Sequence, residues 1–131
     1  MENSFTSIAD LARLIVKAPP WIPDRLFCGA GGSFRSSARV RGVESIPMLF
    51  LSGSLDDVVP PSMMRRLFEA CPARAKRLVT FPTGGHVDTW MAGGYVEAWR
   101  TFAKEVFGFK FPLGEMTDVL VDVDENLNES R

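Results

Sequence analysis

Apolar positions along this chain recur in two rhythms. Ile8, Leu11, Leu14 and Ile15 fall at helical spacing behind the candidate caps Ser4, Thr6 and Ser7, and Pro19-Pro20 stops the pattern, which predicts a first helix over residues 7–17. MLFLS at 48–52 is apolar on both alternating faces, as a strand covered on two sides of a parallel sheet must be. Met63, Met64, Leu67, Phe68 and Cys71 then form a helical stripe behind Pro60-Pro61, whose fixed φ suits a first helical turn, and Pro72 closes it. RLVTF at 77–81 reads as a second strand, and Val96, Trp99, Phe102, Ala103 and Val106 mark a last helix with Gly108 at its C′ position. Residues 19–47 show no clear period and read as an irregular connection with room for one short helical turn.

The order helix, strand, helix, strand, helix is the alternation of an α/β fold built on parallel strands. Two such strands form a poor sheet by themselves, because their outer edges stay unpaired and invite association; the pattern therefore reads as part of a larger domain. A length of 131 residues, 46% of them hydrophobic and 24% charged, fits one globular unit. Net charge is only −1, yet it is uneven: six acids stand against Arg131 over residues 112–131. Residues 111–131 are accordingly expected to form an acidic, flexible tail after a folded unit at 1–110. Arg65, Arg66, Arg74, Lys76 and Arg77 lie scattered without interleaved aromatics, which is the pattern of a solvated face rather than a nucleic-acid surface. Cys28 and Cys71 lack metal-ligand spacing, so neither a zinc site, a disulfide framework nor a cofactor is expected. No apolar run approaches the roughly 20 residues that cross a bilayer and Met1–Ser4 carries no basic leader, so the chain is expected to be soluble and cytoplasmic.

The candidate chemistry lies in the loops after the two strands. SGSLDDVVPP follows the first, and PTGGHVDTW, with the only histidine of the chain, follows the second. In an open parallel sheet the carboxyl ends of neighbouring strands share one edge, so Asp56 and His86 are expected to meet there. An aspartate that accepts from one imidazole nitrogen fixes the tautomer and leaves the other nitrogen free to take a proton from a nucleophile. A polar loop histidine beside a turn-forming aspartate remains the plain alternative.

IPMLFLSGSLDDVVPP followed by a helix, and then RLVTFPTGGHVDTWMAGGYVEAWRTFAKEVFG, resembles the carboxyl-terminal part of α/β-hydrolases of the Bem46 and ABHD13-like group. ENSFTSIADLA resembles the segment those proteins carry after the strand that follows their nucleophile helix, so the likeness runs over about residues 2–108. The resemblance implies a partial α/β-hydrolase fold, with Asp56 as the triad acid and His86 as the base. It also implies serine-dependent hydrolysis of ester or thioester bonds, on a small-molecule or acyl-protein substrate, and membrane association in longer family members. Asp57, one position later, is the alternative acid.

One part of the pattern is missing. Those hydrolases place their serine in a Gly-x-Ser-x-Gly elbow, and no such motif occurs in these 131 residues. Ser33 lacks the second glycine, Ser52 and Ser54 merely flank Gly53, and Leu26 stands where a cysteine elbow at Cys28 would need glycine. The chain alone is therefore expected to be inactive; a noncatalytic remnant, an interaction module or a truncated reading of an active hydrolase remain alternatives. Trp99, Phe102 and Trp90 are expected to be buried for packing, and Asp88 to cap the last helix, with bracing of the His86 loop as the alternative.

Overall fold

A computed structural model describes residues 1–28 and 35–109 of the chain; Ser33 and the acidic tail lie outside them. Helix α1 spans Ile8–Ile15, α2 Arg25–Cys28, α3 Ser36–Val40 and α4 Pro61–Ala70, and α5 runs over Tyr95–Phe107. Strands β1 (Met48–Gly53) and β2 (Lys76–Phe81) pair in parallel, in a register that runs from Met48 opposite Lys76 to Gly53 opposite Phe81.

Local chemistry sets these limits. Ser7 accepts from the Asp10 amide at 3.0 Å, and the Thr6 hydroxyl donates to the Asp10 carboxylate at 2.7 Å, so two side chains fix the start of α1. Pro61 occupies the opening of α4, where its missing N–H costs nothing. At the other end Lys76 donates to the carbonyls of Phe68 and Cys71, at 2.9 and 2.6 Å, and so satisfies acceptors that the end of α4 leaves over. Gly108, with φ at +68°, closes α5 in a left-handed conformation that glycine adopts without penalty.

The apolar run of β1 is explained by what covers it. Phe50 packs with Val40, Met64, Leu67 and Cys71 from the α3 and α4 side, while Leu49 and Leu51 pack with Phe81 and Phe102 from the α5 side. Both faces of the strand are therefore dry, as in a three-layer α/β arrangement. Phe68 meets Phe50 edge to face at 5.5 Å, adding a quadrupole-favoured contact to the burial.

One edge of β1 is not bare. The amino-terminal residues lie parallel to it: the Leu51 amide donates to the Met1 carbonyl at 2.8 Å, and the Asn3 amide donates to the Leu51 carbonyl at 3.1 Å. β1 thus sits between β2 and Met1–Asn3, a pairing that no hydrophobic period in MENSF announces.

Two packing expectations need correction. Trp99 is 47% exposed and Trp90 58% exposed, whereas Phe102 is buried as expected. The stripe on α1 is likewise half uncovered at Leu14 and Ile15. Helical periodicity identifies a face that suits a neighbour, and on α1 and α5 the neighbouring elements cover only part of that face. The connection before β1 contains two short helices, α2 and α3, one more than the single short turn expected there.

Candidate functional site

Past Gly53 the chain leaves β1 and turns at Asp56. One oxygen of that carboxylate, Oδ1, accepts from the amides of Val58 and Val59 at 3.0 and 2.7 Å. This is the local bonding that favours aspartate in turns, and here it fixes the carboxylate plane. The second oxygen, Oδ2, lies 3.0 Å from Nδ1 of His86. The Asp56 side chain is 1% exposed and that of His86 34%, so the bond joins a buried acceptor to a ring at the surface of a cleft. Asp57 is exposed and takes no part. The parallel register is what brings the pair together, since it sets Gly53 opposite Phe81 and starts both loops at the same sheet edge.

A buried carboxylate beside imidazole favours the tautomer with hydrogen on Nδ1, because Oδ2 can only accept. Nε2 is then the basic nitrogen, and it has no hydrogen-bond partner among the described residues. Such a pair can receive a proton at Nε2 and steady the resulting imidazolium against Asp56.

The loop after β2 is held by its own side chains. The Gly85 amide donates to Oδ1 of Asp88 at 2.6 Å, and the Thr89 hydroxyl donates to the Gly85 carbonyl at 2.5 Å. Asp88 thus braces the histidine loop instead of capping the last helix, whose first flanking residue is Gly94. The expected cap fails because a short 3₁₀ turn, Thr89–Met91, intervenes between Asp88 and α5. Thr89 is fully buried against Gly53 and Gly84. A Cβ on Gly53 would collide with the Gly84 carbonyl and the Thr89 hydroxyl, so glycine at the end of β1 is what lets the two loops touch.

Beside His86 opens a cleft of about 420 Å³, lined by Asn3, Phe5, Leu11, Val58 and Val59 among others. Its walls are mainly apolar. Among the described residues no three His, Cys, Asp or Glu side chains gather as metal ligands. Ser52 is buried within β1 and Ser54 is exposed beside it, and neither hydroxyl is hydrogen-bonded to His86. Asn3 is the residue that sequence reasoning passed over: its side chain reaches both loops, and only its place in the ENSF segment hinted at it.

Comparison with known proteins gives the site its context. The model of the family described as serine hydrolase (FSH1) matches residues 25–87, which include Asp56 and His86. The alpha/beta hydrolase domain-containing protein WAV2 of Arabidopsis thaliana is 36% identical over 115 residues, covering 77% of this chain and 35% of that protein. Protein bem46 of Schizosaccharomyces pombe is 36% identical over 105 residues, covering 80% of this chain and 34% of that protein. An uncharacterized membrane protein of Saccharomyces cerevisiae is 48% identical over 59 residues, covering 45% of this chain and 21% of its own length. The chain thus spans about a third of the first two relatives, at 35% and 34%. No solved structure matches it.

Proposed function

Since the chain belongs to the Bem46-like group of α/β-hydrolases, we propose that Asp56 and His86 are the acid and base of a serine hydrolase triad that cleaves ester or thioester bonds. The observation that carries this reading is the 3.0 Å contact between Nδ1 of His86 and a carboxylate already anchored by two backbone amides. In the proposed step the Nε2 lone pair takes the proton of a serine hydroxyl as its oxygen attacks the acyl carbon, and Asp56 stabilises the imidazolium. The same proton then passes from Nε2 to the departing alcohol or thiol, which restores the neutral ring.

The serine itself is not supplied by an elbow in these 131 residues, and the isolated chain is proposed to be inactive. Membrane association is proposed for a longer parent, because the budding-yeast relative is named a membrane protein; no helix among the described residues is long and apolar enough to cross a membrane.

Fluorophosphonate labelling tests the reading, because it needs one activated serine and no substrate fit. The isolated chain should not label. A chimera that joins the remaining part of the Schizosaccharomyces pombe relative, the roughly two thirds that this chain does not cover, to this chain should label, and should lose labelling with His86→Ala or Asp56→Ala. A chimera that labels equally without His86 would sink the assignment of the base, and a labelled serine in the isolated chain would sink the claim of inactivity.

A further inference from the structure

Asn3 makes contacts that neither the triad pattern nor the family comparison assigns. Its Nδ2 lies 3.0 Å from each of the Gly85 carbonyl, the His86 carbonyl and the Thr89 hydroxyl, and its Oδ1 accepts from the Gly53 amide at 3.0 Å. The orientation of this amide is fixed by chemistry: the two carbonyls can only accept and the Gly53 amide can only donate, so exchanging oxygen and nitrogen would break all three bonds. Two N–H groups serve three acceptors, so one of them is shared.

The Gly85 and His86 carbonyls belong to the peptide planes before and after the Cα of His86. Holding both orients the backbone from which the imidazole projects. The Gly53 bond ties the same side chain to the end of β1, three residues before Asp56. We propose that Asn3 is the positioning residue of the Asp56–His86 pair, a rigid link that sets the ring's distance and angle to the carboxylate. Its backbone suits this role, because the Asn3 amide is itself bonded to the Leu51 carbonyl of β1 and its φ is +37°, a region in which asparagine is enriched.

This proposal rests on the acid–base reading above, so its test must separate the two. His86 is the only histidine, and the ¹⁵N spectrum of the labelled chain therefore contains a single imidazole. In alkaline buffer the ring nitrogens report the tautomer directly. The wild-type ring should carry hydrogen on Nδ1. Asn3→Ala removes the link, whereas Asn3→Asp keeps its size and the acceptor for Gly53 but turns an oxygen toward the two carbonyls. Both should lower the Nδ1–H preference by roughly fivefold, the effect of weakening one hydrogen bond to a charged group. The core methyl signals of Met64 and Leu67 should stay in place.

Asp56→Asn is the control. If it leaves the tautomer unchanged, the acid–base reading fails whatever Asn3 does. If it inverts the tautomer while both folded Asn3 variants keep the wild-type ratio, the positioning role alone is overturned. Collapse of the core signals in both Asn3 variants would also overturn it, because Asn3 would then support the whole fold; collapse in one leaves the other to decide. Thr89→Val, which removes one partner of Asn3 while nearly preserving shape, should move the tautomer in the same direction, and Thr89→Ser should restore it.

Discussion

The Asp56→Asn substitution separates a hydrogen-bonded pair from a chance contact more sharply than deletion of either side chain. Oδ1 of Asp56 accepts two backbone amides, from Val58 and Val59. An asparagine must keep its oxygen there, since its NH₂ would otherwise face two donors. The NH₂ is then left pointing at Nδ1 of His86, where it donates and forces the ring hydrogen onto Nε2. Nε2 then has no free lone pair, although no atom has been removed from the ring.

The size of the switch follows from the bonds exchanged. A hydrogen bond to a charged group contributes about 1.5–3 kcal/mol. The His86 side chain is 34% exposed, which argues for the low end. The new bond from the introduced amide opposes it by about 0.5–1.5 kcal/mol. Together the tautomer balance should swing by about 2–3 kcal/mol, or roughly 30- to 140-fold. The assay is the imidazole ¹⁵N spectrum of the single histidine in alkaline buffer, with Nδ1–H dominant in the wild type and Nε2–H dominant in the variant. A variant that keeps hydrogen on Nδ1 would refute the reasoning, because Asp56 would then not be the group that orders the ring.

Three further outcomes test the frame around the pair. Gly53→Ala should cost about 1–3 kcal/mol in urea denaturation and also weaken the Nδ1–H preference, since its Cβ meets a backbone carbonyl that cannot move aside cheaply; a neutral result would mean the loops do not touch there. Leu67→Ala, at a fully buried position of the α4 cluster, should cost about 2–5 kcal/mol by the same measurement and leave the tautomer alone. Burial, and then its hydrogen bond to Glu2, raise Tyr95 above the ordinary phenol value. That stabilisation is complete below about pH 10 and is lost as pH rises through the raised folded value, so Tyr95→Phe should flatten the alkaline decline in stability.

Much of this arrangement is legible in residue order. The apolar run of β1, the Pro60-Pro61 start of α4 and the glycine after α5 are local signals, and each sets a boundary within a residue or two. Asp56 and His86 are legible because each follows a strand, and parallel strands deliver their loops to one edge. What stays hidden depends on contacts between distant segments. Asn3 meets the His86 carbonyl across 83 residues, and no period or motif of short range encodes such a bond. Asp88 stays between two roles for a related reason: a short polar side chain ahead of a helix can cap it or brace the preceding loop, and only the 3₁₀ turn between them decides which. Trp99 shows the limit of an amphipathic pattern, which tells which face is apolar but not whether anything covers it, and Trp90 shows the same for a large ring in a loop.

The bonds that hold the pair all come from this chain. Val58 and Val59 fix the carboxylate, Asp88 and Thr89 shape the histidine loop, and Gly53 with Asn3 joins the two. None of these contacts involves a nucleophile or an oxyanion site, so under the proposed triad reading this segment would set the Asp56–His86 geometry and the rest of the fold would deliver the serine. That separation has a chemical consequence. Preorganisation lowers a barrier only when the reacting groups need not rearrange at the moment of proton transfer. If His86 is the base proposed above, a tautomer set by a buried carboxylate and a backbone pinned on both sides would satisfy that condition for a hydroxyl brought within reach of Nε2. Activity in a longer protein would then depend on how accurately the rest of the fold delivers its serine to this edge.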